Sequence, residues 1–436
     1  MTPNPQIVNS VEKLDYRVTV GDVAAQAGLE LNFAQQGLLA LAGEAGGHLQ
    51  VAESGDVVYL FPKNFRSILR NKYWQLRWQK TWEKVWRVLF YLIRISFGII
   101  LIASILLMVV AIIAILIAMN SANNDREGGG NRSGGRGFGG GLFVPHFWLG
   151  DIFWWFDPGY NRRRLQRRKE AAGSYQMNFL ESVFSFLFGD GNPNADLEED
   201  RWQAIGSVIR RHQGAVVGEQ IAPYVDSIDQ DEDYMIPILS RFNGYPEVSP
   251  QGEIIYYFPE LQVMASHRQS QTISKTGYLQ EKLWRFSQAN SGQLTMAAGL
   301  GILNIILALV LGTLLQDGTI AAELGGIVAF VASIQWLLMG YGVLYLLIPL
   351  VRYFWIQGRN PKIVKGNQSR EQRAIALRQP DQSLRQKISY ASQFAQQKVI
   401  GEQDITYTTE DDLLDQNIRN VDKIDTDWQS RLESDS

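Results

Sequence analysis

The sequence predicts a mixed α-helical membrane protein: three transmembrane helices (one single span and one helical hairpin) with two α+β winged-helix-like modules outside the bilayer. Three observations predict this class. They are three uncharged apolar runs, an aromatic and basic stretch before the first run, and a pattern of helices and a hairpin that occurs twice in the polar regions. The 436 residues suffice for several structural units. The mean hydropathy of −0.11 therefore averages over very different segments.

The three apolar runs, residues 95–119, 294–315 and 326–350, contain no charged side chain. Each reaches the roughly 20 apolar residues that cross about 30 Å of hydrocarbon. A short polar link separates the second run from the third, which predicts an antiparallel helical hairpin. The second run also carries two pairs of small residues at the spacing found in closely packed membrane helices: Ala297 with Gly301, and Ala308 with Gly312.

Two polar side chains, Asn304 and Gln335, lie inside the predicted hairpin. Counted from the helix ends that the link joins, they fall at similar depth, so the sequence predicts a hydrogen bond between them. The alternative is a polar group that lines the path of a small solute. Apart from Arg94 near one end of the first run, no ionisable residue interrupts the helices, and this favours an anchor over a transporter or channel.

The stretch before the first run, residues 66–94, is predicted to be an interfacial helix. Tryptophans recur in it every fourth residue, and basic residues fall on the other side of the same helix. Indole rings prefer the headgroup layer, and Lys and Arg favour the anionic cytoplasmic leaflet. The alternative is a soluble helix with a Trp-rich core face, but direct continuation into an apolar run favours the interface. The aromatic stripe is Trp74, Trp78, Trp82 and Trp86, and the basic side is Arg77, Lys80, Lys84 and Arg87.

Basic residues flank both ends of the hairpin as well as the first run, so the positive-inside bias places all these ends on the cytoplasmic side. A single crossing by the first run conflicts with that arrangement. The aromatic segment at 142–169, which ends in a cluster of arginines, is therefore predicted to return the chain as a re-entrant or interfacial element. The Gly-rich residues 120–141 before it are predicted to be a flexible linker.

The polar regions contain an internal repeat, residues 20–62 and residues 217–259. Both begin with Val-Gly and an acidic residue, place an apolar helix in the middle and end in a hairpin. Two helices followed by a two-stranded hairpin is the winged-helix pattern. The first copy is predicted to have helices at 20–27 and 32–45 and strands at 48–51 and 57–61. The second is predicted to have helices at 201–212, 218–225 and 231–242.

Winged helices often bind DNA, yet the charge of both copies opposes it. From Asp22 to Pro62 there are five acidic residues and no Lys or Arg, and from Val217 to Pro259 there are eight acidic residues and only Arg241. Such surfaces repel phosphate. The sequence therefore favours a protein partner, and no nucleic acid is expected.

The chain has no cysteine, which excludes disulfides, Cys-based zinc sites and Cys nucleophiles. No hydrolase or nucleotide-binding motif occurs, so we expect neither an enzyme nor a cofactor. Residues 190–196 alternate Asp and Asn like the first half of a calcium loop, but Ala195 stands where glycine is needed and Arg201 where a bidentate Glu is needed. We expect instead a turn that caps a helix beginning near Leu197. Its residues are Gly189, Asp190, Gly191, Pro193 and Asp196, the last as the N-cap.

In the polar tail, Thr409 is expected to cap a further short helix. These observations divide the whole chain into segments. They are the first winged-helix-like module 1–65, the interfacial helix 66–94, the transmembrane helices 95–119, 294–315 and 326–350, the linker 120–141, the re-entrant or interfacial segment 142–169, a Phe-rich amphipathic helix and turn 170–196, the second winged-helix-like module 197–265, a connecting helix 266–293, and a polar, partly helical tail 351–436.

The stretch FSFLFGDGNPN that ends at Asn194, the acidic helix Leu197–Trp202, the second module, and the hairpin followed by TTEDDL resemble a membrane-protein family of cyanobacteria and plastids. The resemblance covers most of the chain after about residue 170. Plastid members are labelled iron–sulfur cluster biosynthesis proteins, a role that could only be indirect here because cysteine is absent. The resemblance implies a thylakoid or plasma-membrane location, with the modules mostly on the cytoplasmic or stromal side.

Together these features predict a non-catalytic adaptor or assembly factor that is anchored in membrane lipid. Its acidic modules are expected to bind a protein partner that belongs to a photosynthetic or other membrane complex. The first alternative is a membrane-tethered transcription or nucleic-acid factor. The second is a small transporter that uses Asn304 or Gln335.

Overall fold

The computed structural model describes residues 3–72, 74–124, 177–228, 231–266, 277–316 and 319–412, with residues 414, 416, 421 and 428. The chain folds into two compact units. The α/β unit consists of Met1–Trp86, Asn192–Trp284 and Gly358–Ser436, and the helical unit of Arg87–Gly191 and Arg285–Gln357. The predicted re-entrant segment 142–169 and most of the Gly-rich linker lie outside the described residues.

The elements are numbered in chain order. The helices are α1 (Pro5–Lys13), α2 (Val20–Ala27), α3 (Leu31–Ala45), α4 (Phe65–Lys72), α5 (Trp74–Asn124), α6 (Phe179–Phe188), α7 (Leu197–Arg211), α8 (Gly218–Ile221), α9 (Ile236–Phe242), α10 (Pro259–Gln262), α11 (Ser291–Leu314), α12 (Thr319–Leu324), α13 (Gly326–Arg378) and α14 (Gln382–Ser392). The strands are β1 (Arg17–Thr19), β2 (His48–Ala52), β3 (Val57–Leu60), β4 (Ala215–Val216), β5 (Tyr245–Val248), β6 (Ile254–Tyr257), β7 (Val263–Met264), β8 (Lys398–Val399) and β9 (Ile405–Thr408).

The same succession of elements occurs twice in the α/β unit: a helix, a strand, two helices and two strands. The first runs from α1 to β3 and the second from α7 to β6. In each, the first strand lies beside the third in an antiparallel sheet, in the orders β1-β3-β2 and β4-β6-β5. A capping box between Thr19 and Asp22 starts α2, and the left-handed glycines Gly28 and Gly46 end α2 and α3.

The two copies share one hydrophobic core and do not form separate modules. Helix α2 of the first packs against α7 of the second, where Gly206 lets the backbones approach. A Cβ at Gly206 would lie 2.9 Å from the Cα of Ala25. The side chain of Arg241 completes the contact by donating to the carbonyl oxygen of Gly28 (2.9 Å) and lying over the ring of Trp202.

The tail packs on both copies. Strand β9 adds to the free edge of β2 as a fourth strand, β8 pairs in parallel with β7, and α14 packs on β4 and β6. The prediction that Thr409 caps a helix is wrong. Its main-chain N–H donates to the carbonyl oxygen of Leu49, and its Oγ1 accepts from the N–H of Leu49 (both 2.9 Å).

The predicted connecting helix is also wrong for residues 277–290, which are not helical. Three asparagine side chains each bind the N–H and the C=O of one residue in this stretch, at 2.8–3.0 Å. Because these main-chain groups are engaged by side chains, they cannot form helical i to i−4 bonds. The pairs are Asn367 with Glu281, Asn194 with Lys282, and Asn360 with Trp284.

The helical unit contains the three predicted apolar runs as helices, on α5, α11 and α13. All three helices are long and apolar enough to cross a membrane. Buried side chains from each, including Met108, Leu311 and Val331, form one core, and α6 packs against α11. Exposed apolar side chains cover the outside of the helices, as Trp336 (80% exposed) and Leu337 (71%) show.

Candidate interaction surfaces

The α/β unit exposes an uncharged face of α3. The apolar side chains of Phe33 (46% exposed) and Leu39 (56%) form the two edges of this face. Between them the helix presents only neutral side chains, so this strip of the surface carries no charge. These side chains are Asn32, Gln36, Ala40 and Gly43.

The opposite side of α3 is fully packed, which holds the exposed face in place. Leu31, Ala34, Leu38 and Leu41 are at most 7% exposed. Gly37 packs so closely on α1 that a Cβ there would lie 2.1 Å from the Cδ1 of Ile7. The α3 face is therefore a fixed feature of the core and does not depend on a flexible loop.

The predicted aromatic and basic side chains before the first apolar run lie on α5. Of those whose side chains the structure describes, Trp82 (58% exposed) and Trp86 (53%) project outwards. Lys84 and Arg87 are exposed as well. Trp74, Arg77, Trp78 and Lys80 lie on the same helix, with side chains outside the described set.

The predicted turn at Gly189–Asp190–Gly191 is present, and it ties the elements of the helical unit together. The Oδ1 of Asp190 accepts from Arg94 at 2.8 Å, and its Oδ2 accepts from the Ser185 hydroxyl and the Gln288 N–H at 2.7 Å. Gly189 (φ 80°) adopts a left-handed backbone in which a Cβ would lie 2.8 Å from Nη2 of Arg352. Both carboxylate oxygens thus accept hydrogen bonds from donors of the protein itself, whereas in a calcium loop they would coordinate the cation.

The following cap is only partly as expected. Helix α7 begins at Leu197 with acidic residues in its first turn, as predicted. Asp196 occupies the N-cap position, but its side chain forms no capping hydrogen bond because its backbone (φ −97°, ψ 9°) is not extended. Pro193 lies in the preceding turn, where the Oδ1 of Asn192 accepts from the N–H of Asn194 at 3.0 Å.

The predicted hydrogen bond between Asn304 and Gln335 is wrong. Asn304 is fully buried and donates to the hydroxyl of Ser104 on α5 at 2.6 Å. Its Oδ1 lies level with Gly342, while the amide of Gln335 lies level with Gly312. Gly312 follows Asn304 by two turns of helix, so about 11 Å separate the two polar groups along the hairpin. The two helices of the hairpin are therefore offset along their length from the register that the prediction assumed.

A cleft of about 210 Å³ in the α/β unit was not foreseen from the sequence. It is lined by the end of α7, including Arg211 and His212, and by α14, including Ile388 and Ser392. Burial, assisted by the charge of Arg211, lowers the pKa of His212. The His212 ring lies with its Nδ1 3.3 Å from Nε2 of Gln220. The cleft was not predictable because α14 lies far from α7 in the chain, and no local sequence pattern indicates that the two helices pack together.

These features define a class: a chain that combines a compact α/β unit with a helical unit whose three long helices are apolar enough to span a membrane. Over 427 residues it is 38% identical to "Uncharacterized protein At5g03900, chloroplastic" of Arabidopsis thaliana, covering 94% of this chain and 79% of that protein. The chain belongs to the family of that chloroplast protein, which confirms the predicted relation to a plastid family. No protein-family model and no solved structure match it.

Proposed function

We propose that the chain is a non-catalytic adaptor or assembly factor, anchored in a plastid membrane, whose α/β unit binds a protein partner through the exposed face of α3. The observation that carries the proposal is this uncharged face, with Phe33 and Leu39 about half exposed on a rigidly packed helix. Apolar side chains surrounded by polar surface are typical of protein interfaces.

The repeated order of elements supports a winged-helix interpretation of both copies. In that interpretation α3 is the helix that DNA-binding relatives of the fold place in the major groove. Such a helix needs cations for phosphate contacts, and α3 has neither Lys nor Arg. The same position in the fold is therefore better suited to a protein than to a nucleic acid.

Anchoring is supported by α5, α11 and α13, each long and apolar enough for a span. The exposed Trp82 and Trp86, with Lys84 and Arg87 nearby, fit the headgroup layer at the start of the first span. The relative in Arabidopsis is chloroplastic, which supports a plastid membrane, and we propose that this membrane is the thylakoid. The role of the helical unit in this proposal is attachment, and Asn304 stabilises its packing.

The surroundings of α3 indicate the chemistry of the partner. Two acidic residues border the face: Glu30, which is exposed at the N-cap of α3, and Glu44, which is half-buried in its last turn. An apolar helix flanked by basic residues would match both the apolar face and the acidic rim. A subunit of a photosynthetic or other membrane complex with such a helix is the proposed partner.

The test is affinity purification of the tagged full chain from mildly solubilised native membranes, with partners identified by mass spectrometry. Leu39→Lys should reduce recovery of a specific partner at least tenfold, because it places a charge in the apolar face without disturbing the core. Val248→Lys on β5 is the matched control, since Val248 is equally exposed (57%). Equal recovery with wild type and both variants would refute the α3 interface.

A further inference from the structure

Thr409 is the residue at which the tail leaves the sheet. It directly follows β9, and its two bonds to Leu49 close the end of the β2–β9 pairing. At the other end of the pairing, the N–H of Glu53 donates to the carbonyl oxygen of Asp404 at 2.9 Å. The side chain of Thr409 is exposed, although its Oγ1 is used as an acceptor. The hydroxyl is thus both reachable from solvent and part of what holds β9 in place.

The surroundings of Thr409 are acidic. Glu410, Asp411 and Asp412 follow it directly. Among the described residues, two basic side chains that contact this sheet or its turn, Lys398 and Arg17, already have partners. Lys398 pairs with Asp56 at 2.9 Å, and Arg17 donates to the carbonyl oxygens of Ala265 and Ile400. A new negative charge at Thr409 would therefore meet neighbours of its own sign.

We propose that Thr409 is a phosphorylation site for an acid-directed Ser/Thr kinase, and that its modification releases β9 from the edge of β2. The hydroxyl oxygen attacks the γ-phosphorus of a nucleoside triphosphate. The bond from that phosphorus to the β,γ-bridging oxygen breaks, the hydroxyl proton passes to a base of the kinase, and a nucleoside diphosphate leaves.

The release follows from two physical effects. The phosphate adds between about −1.5 and −2 charges beside three carboxylates. Its ester oxygen is also a poorer and more crowded acceptor, so the N–H of Leu49 loses its partner. One nearby group can oppose this effect: the ring of His48, whose Nδ1 lies 3.2 Å from the carbonyl oxygen of Thr409, would attract the phosphate if protonated.

The experiment uses the full chain in detergent micelles at pH 8, with an acid-directed kinase and ATP. Phosphosites are mapped by mass spectrometry, and amide hydrogen exchange is followed at Leu49 and Glu53. We expect modification at Thr409 and at least a tenfold faster exchange at both amides. Thr409→Val should abolish the kinase-dependent change, whereas Thr408→Val should keep it.

A second pair of variants separates the charge from access by the kinase. Thr409→Glu should raise exchange at Leu49 and Glu53 well above the level of the neutral variant Thr409→Gln. Kinase treatment that modifies other threonines but never Thr409 would overturn the assignment of the site. Full modification of Thr409 with unchanged exchange, or equal exchange in the Glu and Gln variants, would overturn the release.

Discussion

Replacing Asp22 by Ala tests how the two copies within the single α/β unit are joined to each other. Asp22 is 6% exposed and forms an ion pair with Arg210 of α7, which is 14% exposed. Its Oδ2 also accepts from the N–H of Thr19 at 2.8 Å and of Ala265 at 3.0 Å. One carboxylate therefore caps α2, forms an ion pair with Arg210 of the second copy, and accepts a hydrogen bond from the main-chain N–H of Ala265 after β7.

The expected cost follows from what Asp22→Ala leaves behind. Removing one partner of a buried ion pair costs about 3–5 kcal/mol, because the other charge stays buried. The two N–H groups left unsatisfied, one of which is the cap bond of α2 from Thr19, belong to the same network, so we expect about 4 kcal/mol in all. For a unit of this size, that corresponds to a fall in Tm of roughly 10 °C.

The assay is thermal unfolding of the full chain in detergent, followed by circular dichroism. Glu12→Ala is the matched control, because Glu12 pairs with Arg66 at 2.8 Å with both side chains 43% exposed. Such an exposed pair contributes about 0–1 kcal/mol, so its Tm should fall by less than about 3 °C. Equal falls for Asp22→Ala and Glu12→Ala would refute the reasoning that the copies are joined by a buried charge network.

Two further predictions concern packing and pH. Gly206→Ala should destabilise the α/β unit by about 1–3 kcal/mol in the same assay, because the new Cβ meets the backbone of Ala25, whereas Gly43→Ala, with nothing within 4 Å, should stabilise it by about 0.5–1 kcal/mol. Burial acts to lower the pKa of Lys387, but hydrogen bonds to Glu232 (2.8 Å) and Glu219 (3.0 Å) outweigh it and raise that pKa above 10.5. Its contribution to stability is therefore complete below pH 10.5 and is lost as the pH rises further, which amide exchange in α14 should show. Lys387→Met should weaken this pH dependence and leave the part that comes from Tyr256 and Tyr234, whose pKa values burial also raises.

The helices were predictable because their signals are local. The length of the three apolar runs is enough to predict helices. Helices α2 and α3 are predicted by their periodic apolar positions and by the glycines at which they end. The turn at Asp190 was predictable for the same reason, since Gly189 supplies its left-handed backbone. What the sequence did not show was the destination of the Asp190 carboxylate, because Arg94 and Gln288 lie almost a hundred residues away on either side.

The errors share one cause, which is a partner distant in the chain. Strand β9 is only four residues long, and its pairing depends on β2 more than 350 residues earlier. Residues 277–290 are kept from helix formation by asparagines that lie in other elements. Asn304 bonds to Ser104 because three helices, and not only the two of the hairpin, pack at that level. Local propensity cannot anticipate these contacts.

The merging of the two copies into one unit also changes how function must be tested. Deleting residues 217–259 would remove Tyr224, Phe242 and Phe258 from the core that both copies share. Such a deletion would unfold the unit and report on stability instead of binding. Substitutions of exposed side chains are therefore the proper probes of the α3 face.

The most direct test of the central claim is site-specific photo-crosslinking in native membranes. A photoreactive residue is introduced at position 39 on α3 or, as the control, at position 248 on β5. The adaptor proposal predicts one discrete protein adduct from position 39 and none from position 248. The absence of any protein adduct from position 39, with the chain intact in the membrane, would contradict it.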